Sequence, residues 1–121
     1  MRARNVVATL VLVVATSCAT LPSCETLYFG TDKPGGGTVS AAEWKQFADD
    51  VLAREFPKGL TTWEADGRWR GADGQPVVER SHVVLAIGVD EAAIARVIAE
   101  YKRRFAQEAV MRVSSPCRAS F

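Results

Sequence analysis

The chain carries a single histidine, His82, and it stands in the most strand-like run of the sequence, residues 77–89, VVERSHVVLAIGV. An imidazole titrates near neutrality, and a neighbouring tyrosine adds a second transferable proton, so the two together suit acid–base work. Strict alternation puts Arg80, His82, Val84 and Ala86 on one side of that strand. With residues 25–30, ETLYFG, as the adjacent strand, Thr26 and Tyr28 join the same surface, and Arg112 is a further candidate for it. Tyr28 and His82 are therefore the pair to consider on an uncovered sheet face. Glu79 and Glu108 are available carboxylates, but the sequence gives neither an orienting role. The plainer reading makes His82 a partly exposed sheet residue, and no catalytic residue is assigned. One histidine without further ligands makes no zinc site. Neither a metal nor a cofactor is expected.

A second group is Trp63, Glu64, Asp66, Arg68, Trp69 and Arg70. Tryptophans interleaved with arginines stack on sugars, flat rings or peptide aromatics, which makes Trp63, Arg68, Trp69 and Arg70 binding candidates. The alternative is a hairpin whose tryptophans pack on the sheet edge while its arginines are solvated. A third group, Tyr101, Arg104 and Glu108, reads as the aromatic stripe of a helix with solvated neighbours. The glycines at 35–37 lack the Lys-Ser or Lys-Thr of a phosphate loop and read as a flexible turn. A net charge of +1 over 121 residues, with no long block of one sign, excludes a nucleic-acid footprint.

The N-terminus reads as an address. Arg2 and Arg4 precede an apolar run at 6–15, of signal-peptide length and short for a membrane span. Ala15, Thr16 and Ser17 then lead to Cys18, in the manner of a bacterial lipobox with Cys18 as the lipidated residue. A larger aliphatic is usual where Ala15 stands; cleavage after Ala19 by an ordinary signal peptidase is the competing reading, and an uncleaved N-terminal membrane anchor is the plainer alternative. The first places the protein on a bacterial membrane through its lipid, facing the periplasm; the second makes it soluble in the periplasm or secreted. Residues 1–18 are thus assigned as leader and 24–121 as the domain.

With Cys18 consumed or removed, Cys24 and Cys117 remain, in a compartment where a pair is readily bridged. One precedes the first strand and the other follows the last. If those strands are antiparallel neighbours, a bridge between them is geometrically possible. Two free thiols are the alternative.

The elements that must position these groups follow from pattern. Residues 25–30 alternate as a strand. Ser40 with Glu43 is a capping box for a helix to about Glu55, with Trp44, Phe47, Ala48, Val51 and Leu52 on its apolar face. Residues 60–65 form a second strand, and Asp66-Gly67 is a hairpin-type turn signal, with a further turn at 71–76. Asp90 caps a second helix over 91–106, and residues 109–114 make the last strand. Strand, helix, strand, strand, helix, strand is the ferredoxin-like βαββαβ order. It predicts an α+β domain with a four-stranded antiparallel sheet, its first and third strands central and both helices on one face. Leu27, Phe29, Val83, Leu85 and Ile87 are expected to meet the helices.

LYFGTDK after a cysteine, the helix with Trp44 and Phe47, FPKGLTTWEADGRWRG, Glu79-x-Ser81 before an apolar strand, and YKRRFAQEAVMRV occur in order. Together they resemble the bacterial and phage family DUF3574 across essentially all of 24–121. The resemblance implies a small, often exported protein and transfers no activity. Two functions compete, beside a third, a surface factor linked to phage biology, that rests only on the family's occurrence in phages. One is a non-enzymatic envelope module binding a second copy or another envelope protein. The other is a small dimeric enzyme with a pocket over the open sheet face around Tyr28 and His82.

Overall fold

In the computed structural model the described residues are 21–120, so residues 1–18, read above as a leader, and Cys18 with them lie outside. Strand β1, Ser23–Gly30, buries Glu25, Leu27 and Phe29 and leaves Thr26 and Tyr28 half-covered. Helix α1 starts as Ala41–Phe47, continues through a π-helical stretch Ala48–Leu52 and closes with Ala53–Glu55. Its capping box forms in full: the Glu43 N–H donates to Ser40 Oγ at 3.2 Å, and the Ser40 N–H donates to Glu43 Oε2 at 2.8 Å. The π stretch was not legible in the apolar spacing; its wider turn accompanies the burial of Phe47, Val51 and Leu52. Then come β2 (Thr61–Arg70), β3 (Pro76–Ile87), α2 (Glu91–Phe105) and β4 (Met111–Pro116). Asp90 occupies the N-cap of α2 with its carbonyl accepting from the Ile94 N–H, although its side chain makes no cap bond.

All neighbours in the sheet are antiparallel, in the order β2-β3-β1-β4, with β1 and β3 central as expected. The Phe29 ring meets Trp44 and Phe47 of α1 and Tyr101 of α2, with centroids 5.5, 5.9 and 4.7 Å away. Both helices therefore cover the same face.

Two expectations are corrected. First, Asp66-Gly67 is not a turn. Strand β2 runs straight through it and pairs without a break from Thr61↔Leu85 to Arg70↔Pro76. The chain reverses at 71–75, where Gly74 takes a φ of 78° and the Gly71 N–H donates to Gln75 O. A turn signal inside a strand yields when every residue on either side finds a ladder partner.

Second, the phase of β3 is inverted. Opposed residues on antiparallel strands share a face, and here Glu25 faces Ala86, Leu27 faces Val84 and Phe29 faces His82. His82, Val84 and Ala86 thus turn toward the helices, while Val83 and Leu85 accompany Tyr28 and Thr26 on the open face. Arg112, opposite Leu27, is also on the helix side. Its Nε donates to Glu25 Oε2 at 2.8 Å and its two terminal nitrogens to Glu91 at 2.6 and 2.7 Å. Ser114 Oγ donates to the other Glu25 oxygen at 2.8 Å. The Glu25 carboxylate, 2% exposed, is thereby fully engaged, and the Arg112 bond holds its pKa below the usual range against the cost of burial.

The ends are closed by a Cys24–Cys117 disulfide, Cα atoms 5.6 Å apart and 93 residues apart in sequence. On the loop-entropy account, such a closure contributes about 4–5 kcal/mol. A domain of this size holds roughly 5–15 kcal/mol in all. Replacing both cysteines by serine is expected to lower the unfolding free energy by about that 4–5 kcal/mol, read from the urea midpoint. Reductant should shift the native chain and leave the double variant unmoved.

Candidate functional site

The face of the sheet opposite the helices is built from short rows. Met111, Tyr28, Val83 and Trp63 lie side by side across the strands, and Val113, Thr26, Leu85 and Thr61 form the next row. Neither row carries a charge, and Met111, Val113 and Trp63 are 57%, 49% and 44% exposed. Toward the loop end of β1 the rows become polar: Gly30 beside Ser81 and Ala65, then Glu79 beside Gly67, then Val77 beside Trp69.

A cleft of about 530 Å³ opens there, with Tyr28, Trp69 and Met111 as its apolar walls and Glu79, Ser81 and Gln107 as its polar ones. Glu79 is held over the backbone of Gly30. The Asp32 N–H donates to its Oε1 at 3.0 Å, and Gln107 Nε2 donates to Asp32 O at 2.7 Å, tying the loop after α2 to the same corner. A β-carbon on Gly30 would overlap that Oε1, so the glycine is what lets the carboxylate lie down on the strand. Among the described residues, Glu79 has no ion-pair partner and its Oε2 accepts no hydrogen bond. This corner was not recognised in the sequence as a site. The signal was present: Glu79 and Ser81 share the face of Tyr28 once β3 is given its correct phase.

His82 is elsewhere. Only 7% exposed, it stacks on Trp44 with ring centroids 4.2 Å apart and planes 5° from parallel. It lines a second, helix-side cleft of about 390 Å³ with Thr31, Asp32, Ser40, Glu64 and Arg80. Burial lowers its pKa below the ordinary value; Glu64 opposes the shift and Arg80 adds to it. Tyr28 and His82 therefore stand on opposite faces of the sheet, and among the described residues each lines a different cleft.

The tryptophan–arginine group is also divided. Trp63 and Trp69, opposite Val83 and Val77, belong to the open face; Glu64, Asp66, Arg68 and Arg70 alternate to the other. Sequence interleaving has become spatial separation. Of the third group, Tyr101 is core, its hydroxyl donating to Gly30 O at 2.9 Å, Arg104 pairs with Glu100 at 2.6 Å, and Glu108 is exposed apart from them. The Arg103 and Arg104 bonds bring the Glu100 pKa down to about 2.

The class is thus an α+β domain, closed by a disulfide between its first strand and the segment after its last, with a ligand-sized cleft on the side of the sheet opposite its helices. The chain belongs to the DUF3574 family of proteins of unknown function, whose model matches residues 24–121. No functionally curated protein matches it. Among solved structures, it resembles a phage SAM lyase in complex with S-methyl-5'-thioadenosine, at 15% identity and a TM-score of 0.59, over 85% of this chain and 87% of that one. A phage SAM lyase in its apo state matches at 18% and 0.50, over 87% of each chain. CutA1 from Oryza sativa matches at 10% and 0.54, over 84% of this chain and 85% of that one. At these identities the likeness is one of fold.

The His82 environment sets a pH dependence. Its folded pKa lies below the unfolded value of about 6.5, so protons favour the unfolded chain. The stabilisation is complete above that value and is lost as the pH falls through the folded pKa. Urea midpoints compared at pH 7.5 and 5.5 should fall further for the native chain than for His82→Phe, which keeps a ring on Trp44 and does not titrate.

Proposed function

We propose that this chain is a non-enzymatic binding module of the bacterial envelope, exported and anchored through Cys18, that takes a small amphipathic ligand in the cleft over Gly30. The observation that carries the reading is the fixed Glu79 carboxylate, with one oxygen unengaged, between the apolar walls of Tyr28, Trp69 and Met111. A volume of about 530 Å³ is that of small-molecule sites, which are mostly apolar with few placed polar groups. The matching ligand has a flat apolar portion for the aromatic walls and a hydroxyl or amine to donate to Glu79 Oε2. The Cys24–Cys117 bond supports an address outside the cytosol.

S-methyl-5'-thioadenosine, the ligand of the phage lyase, has this chemistry: a flat base, donating ribose hydroxyls and a thioether. Titration followed by tryptophan fluorescence should saturate, because Trp69 lines the cleft. Glu79→Gln and Gly30→Ala should each weaken binding by about tenfold, or about 1.4 kcal/mol, and His82→Phe should leave it unchanged. Saturation indifferent to Glu79→Gln would move the site elsewhere, and no response at millimolar ligand would remove this ligand class.

The second reading is a small enzyme in the same cleft, favoured by the fold shared with a lyase. Against it, the side chains of Tyr28 and Ser81 make no hydrogen bond among the described residues, so no nucleophile is coupled to a base. Turnover of SAM that disappears in Glu79→Gln would replace the binding reading. For the anchor, intact mass of the membrane-extracted protein is expected to show acyl chains on Cys18 as the new N-terminus, and a two-proton gain on reduction. A chain beginning at Thr20 would refute the lipid and keep the export.

A further inference from the structure

Strand β2 is the outer strand of the sheet, ten residues long, and its side chains are exposed along nearly all of its length. Its free edge carries backbone groups with a definite parity. The Gly71 N–H donates across to Gln75 O, which makes 71↔75 a hydrogen-bonded pair of the hairpin. Hydrogen-bonded and non-bonded pairs alternate in an antiparallel ladder. Residues 69, 67, 65 and 63 therefore point their N–H and C=O groups at β3, and Glu64, Asp66, Arg68 and Arg70 point theirs outward. The β1–β3 ladder agrees: the Thr31 N–H donates to Arg80 O, which sends the even residues of β3 to β1 and its odd ones to β2.

The side chains of those outward-pointing residues are sorted by sign. Glu64 and Asp66 precede Gly67; Arg68 and Arg70 follow it. An antiparallel strand of the same sequence can be laid against this edge in several registers that satisfy the backbone parity. Centring the pair on Asp66 sets that carboxylate against its own copy, and centring it on Arg68 does the same with two guanidinium groups. Centring it on Gly67 sets Asp66 opposite Arg68 and Glu64 opposite Arg70, on both sides of the axis, with no like charges opposed. In that register every bonded pair joins residues whose N–H and C=O groups already point outward.

We propose that a second copy of this chain occupies the free edge of β2, paired antiparallel about a two-fold axis at Gly67. The two four-stranded sheets become one, and the interface is isologous, as closed dimers require. Charges on an edge strand ordinarily discourage pairing. Here the acidic half and the basic half make the edge complementary to itself and to few other strands. The carboxylates are free to take the pairing: Arg80 approaches Glu64 and Asp66 at only 3.8 Å each, and their side chains are 59% and 58% exposed. On the opposite face the same register brings Trp69 of one copy over Ala65 of the other. It covers Trp69, which is 48% exposed in the single chain. Gly67 has no side chain of its own at the axis, and the Trp69 ring of the same chain lies 3.4 Å from where a β-carbon would stand.

The test uses the full chain, solubilised from the envelope in detergent, and sedimentation to read mass. The unmodified protein should show twice the chain mass. Asp66→Arg places like charges opposite at both ends of the axis and should weaken association by about tenfold or more. The double exchange Asp66→Arg with Arg68→Asp restores every opposed pair and should recover the dimer. Register is read by cross-linking. Opposed residues of a non-bonded pair have Cα atoms about 4.5 Å apart, within disulfide range, so Gly67→Cys should oxidise to a covalent dimer. Ala65→Cys should not, because its two copies lie four residues apart along the strands, about 13 Å. The unmutated chain controls for Cys18. A monomer at all concentrations, an Asp66→Arg variant that associates like the native chain, a double exchange that fails to recover although it folds, or cross-linking at Ala65 and not at Gly67 would each overturn the proposal. The association and the cleft over Gly30 share Trp69, so sedimentation and cross-linking are read without ligand, and their outcomes decide the pairing alone.

Discussion

The packing of Phe29 decides the rest of the molecule. Its ring is the meeting point of both helices, against Trp44 and Phe47 on one side and Tyr101 on the other. Aromatic rings in such tilted and edge contacts contribute beyond the area they bury. Once Phe29 faces the helices, Tyr28 must face away, because the strand alternates. The regular β1–β3 ladder then passes this choice to β3: His82, directly opposite Phe29, turns in against Trp44, and Ser81 and Val83 turn out. The Tyr101 hydroxyl fastens the same corner by donating to Gly30 O. The composition of both clefts follows from this one side chain.

That dependence explains what could be read from the residues alone. The capping box, the helix ends, the strand order and the Cys24–Cys117 pairing were all legible, because each rests on a local signal or on topology. Strand β1 also declared its phase, since Leu27 and Phe29 alternate with Thr26 and Tyr28. Strand β3 did not. Val83, Leu85 and Ile87 are as apolar as Val84 and Ala86, and a strand apolar on both sides carries no inward or outward label. A one-residue error there moves every side chain to the other face. It separated His82 from Tyr28 and hid the placement of Glu79. The Asp66-Gly67 signal misled for a related reason: local turn preference was outweighed by ladder pairing available on both sides of it.

The polar groups that stiffen the domain are concentrated at one end of β1. The disulfide at Cys24 and the Glu25–Arg112–Glu91 cluster lie at its start, tying β4 and the beginning of α2 to the same place. Breaking such a cluster leaves a carboxylate buried without its partner, which is far costlier than the pair is stabilising. The cleft over Gly30 lies at the other end, six residues along from Cys24. At a strand's rise of about 3.3 Å per residue, that is roughly 20 Å away. The cleft corner is held instead by single hydrogen bonds through Asp32, Gln107 and Glu79.

This polarity bears on the anchored reading. A lipid on Cys18 would attach just before the disulfide, so the rigid end would sit toward the membrane and the cleft would point away from it. The open face carries uncharged rows from Val113 and Thr26 near the tied end to Met111 and Tyr28 beside the cleft. Only at the cleft do they meet a carboxylate with an oxygen unengaged. Apolar surface alone would favour any greasy partner; the Glu79 carboxylate, lying where a β-carbon of residue 30 would stand, is what gives this face a preference.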